Sequence, residues 1–260
     1  MIKLGINIDH IATLRQARKE EFPSVIQAAA VCEKAGANSI TVHLREDRRH
    51  IQDKDVYDLR EILRTKLNLE MSSSQDIIEI AIKVKPDYVC LVPEKRQELT
   101  TEGGLDVAGQ KEKLKDVAAR LKQSGTIVSI FIDPEIKQVD ACKEIQADCV
   151  ELHTGKYAKY FKDFGTNSKE FLQELERIKS ASSKAVENGL ILNAGHGLDY
   201  DNIKNICKIN DMNEFNIGFA IIAKAVFAGL EKAVKDMKDL INKFTREKQH
   251  VRNSGVYRQV

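Results

Sequence analysis

The sequence predicts an α/β fold: a single-domain (β/α)8 TIM barrel. Two observations support this: strand-like and helix-like runs alternate eight times along 260 residues, and no Pro/Gly/Ser-rich linker divides them. The strand candidates lie at residues 2–8, 39–44, 67–71, 87–92, 126–132, 149–153, 190–194 and 214–218. Amphipathic segments fill the intervals, with apolar residues three and four apart, such as Ile77, Ile78, Ile80, Ala81 and Val84. Gly36, Gly125 and Gly189 stand where helices should end in left-handed caps. A doubly wound open sheet is the alternative topology. A weak repeat, ANSITVH at 37–43 against ADCVELH at 147–153, with PDYVCL at 86–91 of similar shape, sets a short polar turn before each strand. The barrel is expected to occupy residues 1–244, and the polar stretch 245–260 to form a loosely ordered tail.

Charge excludes some classes of partner. Forty-one basic residues against 39 acidic ones leave a formal charge of +2, too little for the broad field that nucleic acid or a membrane surface would meet. No apolar stretch approaches the roughly 18 residues of a membrane helix. The opening MIKLGINIDH reads as a strand and not as a secretory signal. Five cysteines, an odd number with no CxxC spacing, predict reduced thiols and a cytoplasmic setting.

The strands themselves carry the functional signal. Parallel strands covered by helices usually read as continuous apolar runs. Here Asn7 and Asp9 alternate with Ile6 and Ile8, and Thr41, His43 and Arg45 with Val42 and Leu44. Asn68 and Glu70 alternate with Leu67, Leu69 and Met71, Glu151 and His153 with Val150 and Leu152, and Glu214 and Asn216 with Phe215 and Ile217. Side chains alternate faces along a strand, so the polar set should line the barrel axis. A structural polar network would satisfy any one of these residues. Five such strands together point to a site.

Four histidines, His10, His43, His153 and His196, fall at or just after strand carboxyl ends, His50 follows strand two, and only His250 lies elsewhere. The carboxyl rim is the catalytic face of such barrels. Glycines after strands seven and eight (Gly195, Gly197, Gly218), the last followed by a helix expected over 220–230, suit a phosphate site. Arg45 should point inward and Arg18, in the loop after strand one, is a second possible clamp, since a guanidinium fork grips phosphate oxygens. No HxH, HExxH or paired-cysteine spacing indicates a metal. Inward strand positions offer no Schiff-base lysine; Lys3 and Lys66 sit at strand starts and Lys95 is the one exception.

Six ordered segments, NIDHIATLR (7–15), TVHLREDRRH (41–50), NLEM (68–71), LVPEKRQE (91–98), TTEGGLDV (100–107) and NAGHG (193–197), resemble the pyridoxine 5′-phosphate synthase family. The likeness runs from about Leu4 to Lys243. It implies that 3-amino-2-oxopropyl phosphate condenses with 1-deoxy-D-xylulose 5-phosphate to pyridoxine 5′-phosphate, phosphate and water. It also implies a TIM barrel with extra helices, no cofactor, and a homo-octamer built from dimers. By motif, His43 and Glu70 would accept protons and His196 would donate one. Asn7, Arg18, Gly197 and the Gly218-Phe219 backbone would hold the aminoketone phosphate. Asp9, His10, Arg45, His50 and Thr100 would hold the deoxyxylulose phosphate. Phe219 departs from the family, which places histidine there, and the loop at 156–168 is longer than usual.

Two other readings use the same residues: a phosphosugar isomerase or aldolase on this barrel, and a phospholigand sensor. A substrate imine trapped on Lys95 would mark the aldolase. Clustered titratable groups speak against a sensor, since binding alone needs few of them. Residues 94–109, with Gly103-Gly104, are a candidate lid.

Overall fold

Eight runs of alternating character form the strands β1 (Lys3–Asn7), β2 (Ser39–His43), β3 (Lys66–Met71), β4 (Tyr88–Leu91), β5 (Ile127–Ile132), β6 (Cys149–His153), β7 (Ile191–Gly195) and β8 (Met212–Ile217). They pair in parallel and in chain order, and β8 returns to β1 to close the barrel. The open-sheet alternative is thereby excluded. This computed structural model describes residues 1–98, 100 and 103–253, with side chains as far as residue 248. The helices are α1 (Asp9–Gln16), α2 (Val25–Lys34), α3 (Asp53–Ile62), α4 (Gln75–Val84), α5 (Lys111–Gln123), α6 (Ile136–Glu144), α7 (Gly155–Phe164), α8 (Lys169–Glu187), α9 (Ile203–Cys207), α10 (Phe219–Ala228) and α11 (Leu230–Asn253). Three of them, α1, α7 and α10, are additions that leave the carboxyl rim directly after β1, β6 and β8.

The helix-to-strand turns follow from local chemistry. Gly36, Gly125 and Gly189 all have positive φ, as their places after α2, α5 and α8 predict. Each helix closes with paired backbone bonds, for example Gly36 N to Glu33 O and Ala37 N to Cys32 O, both 3.0 Å. After α6 the left-handed position falls to Gln146 (φ 62), with Ala147 N donating to Cys142 O. The sequence repeat now has a physical meaning. Its polar residue caps the neighbouring strand: Asn38 Oδ1 accepts from Leu4 N (3.0 Å), Asp87 Oδ2 from Leu67 N (3.1 Å) and Asp148 Oδ2 from Val128 N (2.9 Å).

Three expectations change. Residues 156–168 are not a long loop but mostly α7, whose Tyr157 ring is buried against Phe171. The helix expected over 220–230 ends at Ala228, because Gly229 (φ +81) turns the chain into α11. The stretch from Thr245 continues α11 to Asn253: Thr245 is buried and Lys248 Nζ donates to Ile209 O (2.7 Å). Apolar periodicity fades there, yet Arg, Glu and Lys are good helix formers and prolong a helix already anchored by Val234, Met237 and Ile241. Residues 254–260 of the expected tail, and residues 99, 101 and 102 of the candidate lid, lie outside the described residues, as does the side chain of His250. Among the described residues no helix is long and apolar enough to cross a membrane.

The apolar strand residues, among them Leu4, Ile6, Ile40, Val42, Leu67, Leu69, Val150 and Phe215, form one core with the surrounding helices. The polar set faces the axis, as alternation requires. There Ser39 Oγ donates to Glu214 Oε1 (2.8 Å), Asn68 Nδ2 to Thr41 Oγ1 (3.2 Å), Thr41 Oγ1 to Asn216 Oδ1 (3.2 Å) and Asn216 Nδ2 to Glu151 Oε2 (2.6 Å).

Gly5 makes room for this network. A Cβ there would stand 2.1 Å from Asn216 Oδ1 and 2.5 Å from Ser39 Oγ. Gly5→Ala is therefore expected to destabilise the fold by about 1–3 kcal/mol, the usual effect of overpacking a core. Urea unfolding would read this as a lower midpoint at unchanged slope, and an unchanged midpoint would contradict the packing described.

Candidate active site

A cavity of about 830 Å³ opens at the carboxyl rim. Strand ends and the residues after them supply its walls: Asn7, Asp9 and His10 from β1, His43 from β2, Glu70 from β3, Phe131 from β5, Glu151 from β6, His196 and Gly197 from β7, and Asn216, Gly218 and Phe219 from β8. Nine of the residues that the family resemblance marks as catalytic or substrate-binding thus meet in one place.

Asp9 stitches the first two strands together. It opens α1, its Oδ1 accepts from His43 N (2.8 Å), and its Oδ2 accepts from Asn7 Nδ2 (2.9 Å). Asn7 Nδ2 also reaches Glu70 Oε2 at 3.3 Å. Burial is the main reason that the proton affinity of Glu70 rises well above the usual carboxylate range. The like charges of Asp9 and Glu151 add to the rise, and the Asn7 hydrogen bond opposes it. Glu151 is itself pushed up to about 7 by burial, against its bond from Asn216 and with Glu214 adding to the rise. On the facing wall, burial and then the neighbouring His153 push His196 down to about 4, although part of the residue opens to solvent. The site therefore sets a carboxyl of raised proton affinity opposite an imidazole of lowered proton affinity.

Further residues lie behind the wall. Glu94 Oε1 stands 2.9 Å from His43 Nε2, and its Oε2 accepts from Glu46 N (3.0 Å). Burial would raise Glu94, but these bonds outweigh it and hold the carboxylate below its usual range. Asp133 pairs in the same way with His153 at 3.1 Å. Neither carboxylate was singled out from the sequence. Glu94 stands three residues past the end of β4 and Asp133 one past the end of β5, and that position was the signal available.

Arg45 and His50 sit beside His43 and not in the cavity wall. Arg45 pairs with Asp47 (3.3 Å) and Glu94 (3.8 Å). The His50 ring lies 6.1 Å from that of His43, and burial is the first cause of its lowered proton affinity. Its carbonyl is held by Arg15, which grips Asp55 with two bonds of 2.7 Å. Thr100 donates to Asp133. Arg18 is exposed, and it follows α1 because the segment after β1 is a helix and not a loop. Phe219 is 71% exposed and meets the exposed His10 edge-on at 5.5 Å.

At the foot of α10, Gly218 lets the chain pass close to Asn7, whose Cβ would lie 3.0 Å from a Cβ at Gly218. The first N–H groups of a helix lack intrahelical partners, so this terminus suits an anion. Asp9, His43 and Glu70 bring donor atoms within 4.8 Å of one another, close enough to share a cation. All three are already engaged, with His43 Nε2 on Glu94 and both Asp9 oxygens accepting N–H groups. Lys95, the nucleophile an aldolase would need, is 55% exposed and bound to Glu46 at 3.0 Å. Lys3, at the opposite end of the barrel, holds Asn213.

Comparison with known proteins agrees with this geometry. A family model described as pyridoxal phosphate biosynthesis protein PdxJ matches residues 4–243. A pyridoxine 5′-phosphate synthase of Prochlorococcus marinus (strain MIT 9312) is 54% identical over 241 residues, covering 93% of this chain and 99% of that protein. The protein of the same name from Blochmanniella floridana is 49% identical over 244 residues, covering 94% and 97%. Among solved structures, KGPDC from Streptococcus mutans superposes with a TM-score of 0.65 at 13% identity, covering 94% of this chain and 99% of that one. Phosphoribosyl anthranilate isomerase from Thermus thermophilus does so at 0.56 and 10%, covering 93% and 99%. At such identities these two show the barrel alone.

The proton on Glu151 should be visible in stability. Its folded value of about 7 exceeds the 4.5 of a free glutamate, so the folded state binds the proton more tightly. That contribution is full below about pH 4.5 and is lost as pH rises through about 7, on the order of 3 kcal/mol. Glu151→Gln, which imitates the neutral acid, should leave Tm unchanged at pH 4 and raise it at pH 8. A gain equal at both pH values would refute a protonated Glu151.

Proposed function

The chain belongs to the family of pyridoxal phosphate biosynthesis protein PdxJ, and we propose on that footing that it is a pyridoxine 5′-phosphate synthase joining 3-amino-2-oxopropyl phosphate to 1-deoxy-D-xylulose 5-phosphate. The observation that carries the assignment of roles is the Glu70 carboxyl, with its raised proton affinity, facing the same cavity as His43 and His196.

The aminoketone arrives with its own amine, as an ammonium ion at neutral pH. Glu70 and Asp9 offer it a counter-charge, and the proton affinity of Glu70 lets it take the ammonium proton, freeing the amine to form an imine with the second substrate's carbonyl. His43, braced by Glu94, is the second acceptor for the proton transfers that close the ring. His196 donates. Its lowered proton affinity makes its imidazolium a ready acid, and a phosphate dianion arriving at Gly197 and the foot of α10 raises that affinity enough for the ring to take up the proton it then gives. Asn7, Gly197 and the Gly218-Phe219 backbone hold the aminoketone phosphate, with Arg18 as its clamp. Asp9, His10, Arg45, His50 and Thr100 hold the deoxyxylulose phosphate. Arg45 and His50 reach it if Arg45 exchanges Asp47 for the phosphate.

The reading extends to a cytoplasmic homo-octamer of dimers. Five buried free cysteines support the reducing compartment. Val226 and Phe227 on α10, 73% and 93% exposed, support burial of that helix between subunits.

Mixing the pure protein with both phosphate esters should produce the absorbance of pyridoxine phosphate and release inorganic phosphate. In Glu70→Gln, turnover should fall by about 10²–10⁴-fold, the range of a positioned acid–base group. Thermal stability should not fall with it. Near-parental turnover in that variant would remove Glu70 from the mechanism, and no product from the parent would remove the synthase.

A further inference from the structure

We propose that Asp133 and His153 form a positioning dyad that fixes the ring and the charge state of His196. The proposal rests on the acid–base role of His196 given above and adds the group that controls it.

Asp133, at the end of β5, is fully buried, and His153, the last residue of β6, is 9% exposed. Asp133 Oδ1 lies 3.1 Å from His153 Nδ1 and accepts from Gly104 N (3.1 Å), while its Oδ2 accepts from Thr100 Oγ1. Burial works against an anion there, but the bonds from His153 and Thr100 prevail and hold Asp133 below the usual carboxylate range. An ionised acceptor at Nδ1 fixes the tautomer of its histidine: the proton sits on Nδ1, and Nε2 is left to titrate. That nitrogen faces the start of α7. A Cβ on Gly155 would lie 2.6 Å from His153 Nε2 and 3.0 Å from His196 Cδ2, so the two rings share the space that this glycine leaves open.

The rings meet nearly edge to face, with centroids 4.8 Å apart. Phe131 flanks both, at 4.9 Å from His153 and 6.2 Å from His196. The titratable groups around the pair are Asp133 at the end of β5, Glu151 earlier on the same face of β6, and the two histidines themselves. His153 is the charge-bearing neighbour that lowers His196. His153 stands between the Asp133 carboxylate and the His196 ring, and any charge on it bears directly on His196. The dyad thus bears on the proton affinity of His196 and holds its ring in place beside Phe131.

Nitrogen NMR of the histidine rings tests this in the parent protein, where His153 should carry its proton on Nδ1. In His153→Gln the titration of His196 should move upward, kcat should fall roughly a hundredfold, and the acid limb of its pH profile should shift, with KM near the parental value. Asp133→Asn should move the titration of His196 in the same direction as His153→Gln. A merely structural dyad would leave the titration of His196 where it is in both folded variants, and that result overturns the proposal. So does a parent His153 protonated on Nε2 alone, a measurement that decides the matter even if neither variant folds. A parent protein with the expected ring protonation but no synthase activity would instead sink the functional reading and leave the dyad standing.

Discussion

Three carboxylates, Glu70, Glu151 and Glu214, face the inside of a closed barrel whose outer strand face is sealed by aliphatic side chains. Water cannot screen them as it would at a surface, and an uncompensated buried charge costs more than any single hydrogen bond returns. The barrel answers in two ways. Ser39 and Asn216 donate to Glu214 and Glu151, and Thr41 and Asn68 continue the chain of bonds across four strands. What the bonds do not compensate raises the proton affinity of all three carboxyls above the usual range. The network is not complete. Asn68 Oδ1 and Ser129 Oγ have no hydrogen-bond partner among the described residues, and such atoms cost about 1–3 kcal/mol each. A barrel filled with valine and isoleucine would avoid every one of these costs, which is why the polar axis reads as function and not as architecture.

Depth then separates two kinds of group. Toward the amino end, Ser39 and Glu214 satisfy one another and have no access to the cavity. One layer up, Glu151 and Asn216 are bonded together and also line the cavity floor. At the rim, His43 and His153 are braced from behind by Glu94 and Asp133, carboxylates that follow β4 and β5. Glu70 has no such cationic brace. Its one bond is the weak one from Asn7, and two like charges surround it. The same fold thus produces braced imidazoles and one unbraced carboxyl, and a group free to change its proton is the one suited to move protons.

Much of this was legible in the sequence, and what was not has physical causes. Alternation fixed the inward set, because the two-residue period of a strand has no exceptions within one register. The Asn38, Asp87 and Asp148 repeat was visible as a pattern, but its role as a strand cap needed the neighbouring strand's N–H in place. Glu94 and Asp133 escaped notice because each lies in a polar connection, where a carboxylate is unremarkable until its histidine partner, 51 or 20 residues away, comes within bonding distance. Arg45 was expected to point inward by parity with His43. It lies past the end of β2, where the strand period no longer holds, and it turns to Asp47 instead.

The resemblance implies a histidine where this chain has Phe219, and the geometry limits what such a difference can change. The residue is the first of α10, so its backbone N–H belongs to the free donors of the helix terminus whatever its side chain. Its ring points out along the rim to meet His10 edge-on. A histidine there would offer a hydrogen bond and a titratable charge beside His10, whereas phenylalanine offers only an apolar edge. The anion site at the helix foot depends on the backbone and on the absence of a side chain at Gly218, and both are intact. What the substitution removes is a charge beside His10, and the residues left to balance a phosphate on that side are His10 itself and the arginines.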